Sequence, residues 1–385
     1  MTHYLDNAAT TRVRPGALEA MLPLFTETYG NPSGAHRMAR SANHALDDAR
    51  DAVAVATGAE PGQVVFTGGG TEADALAIRG VIDAAGGVPV TTAIEHHAVL
   101  DPVTHLGGRV VPVAADGRID LDALEATLTE VAATGDTVSV VSIMTANNET
   151  GVIQPLRETV EVVRRSAPDA AVHTDAVQAL CWVDLAEAAA TVDLLSISAH
   201  KFGGPKGTGA LIVRNGVTLA PLLRGGGQER DRRGGTQNVA GIAGMAAAAS
   251  ETVAERSAAL GRVTALRDRL IEGIRGAVDG VHESGVGADA DRSHKTANIA
   301  HLCFEGIESE ALLFLLEKND IMASAASSCA SGAQEPSHVL AAMGVPRHLA
   351  AGSLRLSLGY DSTEADVDAV LDVLPGAVAR LRGQG

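Results

Sequence analysis

The chain has 385 residues, of which 46% are hydrophobic, 20% charged and 2% aromatic, and its formal net charge is −17. That length exceeds the size at which one hydrophobic core keeps growing, so two packed domains are expected. The acidic balance argues against broad contact with a phosphate backbone, and no apolar run reaches the ~18 to 20 residues that a membrane span needs.

The opening residues, Met1 to Asp6, lack the basic and apolar segments of a signal peptide. Next comes a helical spacing at Leu18, Met21, Leu22 and Phe25. Strand-like apolar runs then follow at 64–67, 88–94, 110–113, 138–144, 171–174, 192–198 and 210–213. Amphipathic stretches separate them, as at Leu124, Leu128 and Val131. Alternating strands and helices predict an α/β architecture with a largely parallel sheet covered on both faces. Residues 238–278 form a long, Ala-rich helical pattern. Beyond it a strand at 297–304 and a helix at 308–318 open a smaller α+β region.

In open α/β sheets, ligands collect beyond the carboxyl ends of the strands, and the informative residues fall there. Only four lysines occur, Lys201, Lys206, Lys295 and Lys318, against 26 arginines. Lys201 alone ends a predicted buried strand, and it precedes Gly203 and Gly204, where a ligand could approach closely. Lys295 falls in the loop after Asp291, and Lys318 ends a surface helix.

A pyridoxal cofactor makes several demands at once. Its ring nitrogen needs a carboxylate, for which Asp175 is placed, although a helix N-cap is an equal reading. Gln178 could reach its phenolic oxygen. Its phosphate needs N–H groups at a helix start, which Gly68, Gly69, Gly70 and Thr71 supply. Its open face needs a flat partner, and His96 or His97 fits unless the pair is simply surface. Arg224, Arg230, Arg232 and Arg233 read either as a solvated loop or as an anion site. Three cysteines, at 181, 303 and 329, form neither a disulfide framework nor a CxxC metal site, so a reducing cytoplasm is the expected setting and no metal is expected. Cys181 and Cys303 read as structural thiols, whereas Cys329 lies among Ser, Ala and Gly residues that suit an accessible loop.

Many of these segments, taken in order, resemble the cysteine desulfurases. Tyr4-Leu5-Asp6-Asn7-Ala8-Ala9-Thr10-Thr11 is similar to the family's opening. The similarity continues through Gly30-Asn31-Pro32-Ser33, Thr67-Gly68-Gly69-Gly70-Thr71-Glu72, Glu95-His96-His97 and Asn147-Asn148-Glu149-Thr150-Gly151. It extends through His173 to Gln178, Ser198-Ala199-His200-Lys201, Gly225 to Arg230, Gly235-Thr236, Ser328-Cys329-Ala330-Ser331 with Glu335-Pro336-Ser337, and Leu354 to Gly359. The loop around Cys329 resembles the longer form of the nitrogen-fixation and iron–sulfur-housekeeping branch.

The resemblance implies the class V aminotransferase type of the pyridoxal-phosphate-dependent transferase fold (fold type I). A large domain (15–257) would hold a mainly parallel seven-stranded sheet, and a small domain (1–14 and 258–385) would carry the Cys329 loop. It implies that Lys201 holds pyridoxal 5′-phosphate covalently, with Asp175 on the ring nitrogen, Gln178 on the phenolic oxygen and His96 stacked on the ring. Gly70, Thr71, Ser198 and His200 would hold the phosphate, joined by Thr236 from the partner subunit of a homodimer. Asn148 and Arg355 would bind the carboxylate of L-cysteine. Cys329 would take the sulfur as a persulfide, with His96 acting on protons, and alanine would leave. The acceptor would be a protein, either an iron–sulfur scaffold or a thiolation enzyme of the kind that serves tRNA, without direct contact to nucleic acid. Two departures stand out. Gln228 replaces a His often found there, and the chain stops soon after Arg382 without the extension some housekeeping members carry, which weakens the expectation of docking to a standard scaffold. A selenocysteine lyase, another class V enzyme and a non-catalytic scaffold are the competing readings.

Overall fold

The structure, a computed structural model, describes residues 2–214, 216–325 and 337–383. The seven predicted strands of the first two-thirds form one sheet. Its spatial order is Val64–Thr67, Gly209–Val213, Leu194–Ser198, Ala171–Asp175, Val138–Ser142, Val88–Thr92 and Arg109–Val111. All pairings are parallel except those of Gly209–Val213, which runs antiparallel to both neighbours. Val138–Ser142 and Leu194–Ser198 are buried along their whole length, as strands covered on both faces must be.

Period-two alternation sends neighbouring side chains to two different cores. Val64, Phe66, Leu195 and Ile212 join Leu46, Val53, Leu124 and Met245 on one face. Val65, Leu194 and Leu211 join Leu76, Ile78 and Val99 on the other. The helix Val239–Ala277 is capped by Asn238, whose side chain accepts from Gly241 N at 3.1 Å. At 39 residues it spans ~58 Å. Its first half contributes Ile242, Met245 and Ala248 to the first core. Its second half contributes Val263, Leu266, Leu270 and Ile274 to a separate core with Leu302, Phe304 and Leu354.

That second core backs a three-stranded antiparallel sheet, with Ile299–Phe304 between Ser353–Ser357 and Val281–Glu283. The N-terminal strand His3–Tyr4 pairs in parallel with Ile321–Met322, and Asp6 bridges to Ser357. The chain then crosses to the large sheet, where Thr11 N donates to His200 O at 3.0 Å. This N-terminal strap fixes one wall of the site. No helix among the described residues is long and apolar enough to cross a membrane.

One sequence expectation needs correction. The run 88–94 leaves the ladder after Thr92, although Ile94 is buried, and the early exit carries Glu95 and His96 over the sheet's carboxyl edge. Lys295 falls in a loop, as expected. Its side chain is fully buried, with Nζ 3.3 Å from Glu283 Oε1 and donating to Ser284 O at 2.6 Å.

Candidate active site

A cavity of about 290 Å³ opens at the carboxyl ends of the parallel strands. It is lined by nine of the residues singled out from sequence: Gly70, Thr71, His96, Asn148, Asp175, Gln178, Ser198, His200 and Lys201. Each sits at the end of a strand or in the segment that follows one. The first loop turns through Gly69, whose φ of +143° only glycine adopts without strain, and the helix Gly70–Ala85 starts there. A Cβ on Gly70 would stand 2.8 Å from Val177 Cγ2 and 3.3 Å from Ser198 Cβ. The helix start is thus pressed against the loops bearing Asp175 and Ser198, and its positive end faces the cavity.

Lys201 ends the 3-10 turn Ala199–Lys201 that follows Leu194–Ser198. Its Nζ donates to Ala8 O at 2.5 Å and Ala9 O at 2.9 Å, both on the N-terminal strap. Burial, reinforced by the Arg355 charge, pulls the amine down from 10.5 to about 8, so a usable fraction is neutral near physiological pH. Asp175 closes the strand Ala171–Asp175 and accepts from Val177 N at 2.8 Å. It therefore ties down a turn instead of capping a helix. Burial pushes its pKa up, while His96 and Lys201 oppose the shift.

His96 is the N-cap of the helix His97–His105, and its Nδ1 accepts from Ala98 N at 3.1 Å. The neutral ring then carries its proton on Nε2. Burial lowers its pKa, so neutral is the favoured form. His97 points elsewhere, to Asp101 at 2.9 Å and to the ring of His338. His200 lies 3.2 Å from Thr10 Oγ1 and is held neutral by burial, at about 4.

Arg355 comes from the second sheet and does not line the cavity itself. Its guanidinium donates to Asn148 O at 2.8 Å and to Asp6 Oδ1 at 2.7 Å, while its buried Nε has no partner. Asn147 shapes the neighbouring turn, because its Oδ1 accepts from Glu149 N, Thr150 N and Thr150 Oγ1. Thr236 is exposed and away from its own chain's cavity. Cys329 lies outside the described residues. On one side of that segment Ser324 bridges to Arg355, and on the other Ser337 donates to Glu149 Oε2 at 2.5 Å. Cys303 is buried and Cys181 only partly so; burial pushes both thiols up to about 11. In the arginine cluster, Arg233 pairs with Glu72 at 2.8 Å and Arg230 donates to Gly62 O at 3.0 Å.

The family model described as Aminotransferase class-V matches residues 3–370. The chain belongs to the class-V aminotransferase family. Among curated relatives it is 46% identical to the "IscS-like cysteine desulfurase" of Mycobacterium tuberculosis, covering 98% of this chain and 97% of that protein. It is 44% identical to the "Cysteine desulfurase IscS" of Methanosarcina thermophila, covering 98% and 92%. Among solved structures, a "NifS-like protein" superposes with a TM-score of 0.89 at 36% identity, covering 99% of this chain and 100% of that one. DndA from Streptomyces lividans superposes at 0.74 with 35% identity, covering 91% and 97%. The mainly parallel sheet is the fold type I arrangement expected from sequence.

The donor set of this class-V chain fits pyridoxal phosphate. A neutralisable amine, an acid beside the ring's expected nitrogen and a helix start with hydroxyls for the phosphate all face one cavity. Sequence reasoning gave no role to the wall residues Ala9 and Val177 and missed Asp74, Met144 and Ala146. Of these only Asp74 carried a signal, as an acid among Ala73, Leu76 and Ala77 on the buried face of its helix.

Proposed function

We propose that the protein is a cysteine desulfurase that releases alanine from L-cysteine and keeps the sulfur as a persulfide on Cys329. The observation that carries this reading is the meeting of Lys201, Asp175 and His96 at a helix start, in a chain aligned almost end to end with relatives named for that activity. Pyridoxal phosphate, when bound, supplies an electron sink for the carbon next to the amino group. Lys201 would hold it, Asp175 would keep its ring nitrogen charged, Gln178 would meet its phenolic oxygen and His96 would cover its face. Gly70, Thr71, Ser198 and His200 would hold its phosphate.

Arg355, anchored by Asn148 O and Asp6, presents a fixed cation for the substrate carboxylate, with Asn148 beside it. The depressed pKa of Lys201 leaves the amine able to take a proton from the substrate. The Nε2–H of His96 can donate a proton on the cavity side. The Cys329 thiolate would attack the substrate sulfur. The C–S bond breaks with its electrons staying on carbon, a sulfur–sulfur bond forms, and protonation of the carbon skeleton gives alanine. The anchors of the Cys329 segment, beside Arg355 and Glu149, support this assignment.

We further read 15–257 as the cofactor-binding unit and 1–14 with 258–385 as the unit bearing Cys329. A cytoplasmic homodimer fits, with Thr236 reaching the partner's phosphate. Leu18, Leu22, Phe25 and Tyr29 leave an exposed apolar stripe of the kind that such an interface covers. A protein acceptor, in iron–sulfur assembly or tRNA thiolation, would then take the sulfur. The test is alanine and sulfide release from L-cysteine with a reductant. Wild type should give both, Lys201→Ala neither, and Cys329→Ser should keep a coloured cofactor without turnover. A fully active Cys329→Ser would refute the persulfide step.

A further inference from the structure

Behind Asp175 lies a buried hydrogen-bond chain to which no role has been given above. His173 is fully buried two residues before Asp175 on the same strand face. Its Nδ1 lies 2.8 Å from Ser142 Oγ and its Nε2 lies 2.9 Å from Ser196 Oγ. Ser196 also hydrogen-bonds the carboxyl of Asp74, whose Oδ1 stands 3.7 Å from His173 Nε2. Asp74 reaches this place from the helix Gly70–Ala85, is 1% exposed and lines the cofactor cavity. Its Oδ1 has no hydrogen-bond partner.

The charged groups around Asp74 are the wrong ones for an ionised carboxylate. Burial raises the pKa of Asp74 most and the neighbouring acids Asp175 and Glu95 add to the rise, while the Ser196 hydrogen bond opposes it. Lys201 and His96 act instead on Asp175. Glu95 is itself pushed up to about 8 by burial, with Thr92 Oγ1 and Met144 N on one oxygen and nothing on the other. His173 is held neutral, at about 3, by burial. Of the three, Asp175 alone has basic groups, Lys201 and His96, acting on it.

Proton counting then sets the direction of the chain. An ionised Asp74 would accept from Ser196, which would accept from His173 Nε2–H. A neutral Asp74 donates to Ser196, whose hydroxyl turns to Nε2, and the ring proton moves to Nδ1 and Ser142. We propose that Asp74 is a positioning residue of the cofactor site: as a neutral acid it orders the Ser196–His173–Ser142 chain and leaves Asp175 as the carboxylate that keeps its charge. The role rests on the pyridoxal reading of the cavity.

The test combines 15N NMR of histidine-labelled protein with pyridoxal phosphate titrations of wild type, Asp74→Asn and Asp74→Leu. The expected His173 ring is neutral, with its proton on Nδ1, in wild type and in Asp74→Asn. Asp74→Asn keeps a donor without a charge and should bind the cofactor within about threefold of wild type, whereas Asp74→Leu should bind more than tenfold weaker. A proton on Nε2 in wild type, or Asp74→Asn binding as poorly as Asp74→Leu, would overturn the proposal. If Asp74→Leu does not fold, the ring tautomer and Asp74→Asn decide. Wild type that binds no pyridoxal phosphate would refute the functional reading instead, and the tautomer would still report the state of Asp74.

Discussion

Replacing Lys201 with Met should make the cofactor-free protein more stable at neutral pH. The amine falls from 10.5 in an unfolded chain to about 8 in the fold, chiefly through burial. At 1.36 kcal/mol per pH unit, that difference sets an upper limit of about 3 kcal/mol of destabilisation at pH 7. Between the two values the unfolded chain holds a proton that the folded one has released, so stability rises with pH through this window. By pH 9.5 the wild type should therefore recover ~2 kcal/mol relative to Lys201→Met. Lost hydrogen bonds to Ala8 O and Ala9 O work against the variant by ~1 kcal/mol each at every pH. The residue is also partly exposed, so the net gain at pH 7 should be at most ~1 kcal/mol. Urea unfolding of both cofactor-free proteins, followed by circular dichroism at pH 7 and 9.5, measures the gap. A gap that stays constant, or widens with pH, would refute the assignment of Lys201 as a strained buried amine.

Other substitutions probe other walls. Gly70→Ala must push Val177 or Ser198 aside, and should weaken pyridoxal phosphate binding by ten- to a hundredfold in a fluorescence titration. Arg50→Ala strips the buried Glu229 of two hydrogen bonds, at 2.9 and 3.0 Å, and should cost ~3 kcal/mol in denaturant unfolding. Arg355→Ala should raise KM for L-cysteine at least tenfold in an alanine-release assay. Glu95 has a folded pKa of about 8 against 4.5 unfolded, so the native state loses stability as pH rises from 5 to 8. Thermal melts of Glu95→Gln against wild type should show the variant gaining over that range.

Much of this was legible because local rules and global fold agree. Apolar runs bounded by turn residues marked all seven strands, and Lys201 stood out as a lysine at a buried strand's end. The seam of Gly209–Val213 was not visible, because its antiparallel direction is set by pairing partners 148 residues apart in the case of Val64 and Ile212. The burial of Lys295 was not visible because its partner Glu283 comes from a strand at the second sheet's edge. The carbonyls of Ala8 and Ala9 were hidden for a simpler reason: any residue type presents a carbonyl. Asp74 could have been suspected from its helix face, but its neighbours Ser196 and His173 are brought to it only by the sheet.

The N-terminal strap has a consequence for the order of events on the ribosome. Asp6 is made long before its partner Arg355, which lies 349 positions later. Ser357, which receives Asn7 and bridges Asp6, is later still. The parallel sheet can assemble while the chain is still emerging, but the wall that holds Lys201 has to wait for the last strand. Assembly of the cavity therefore waits for synthesis of the strand Ser353–Ser357, and a product truncated before it would retain a core without a working site.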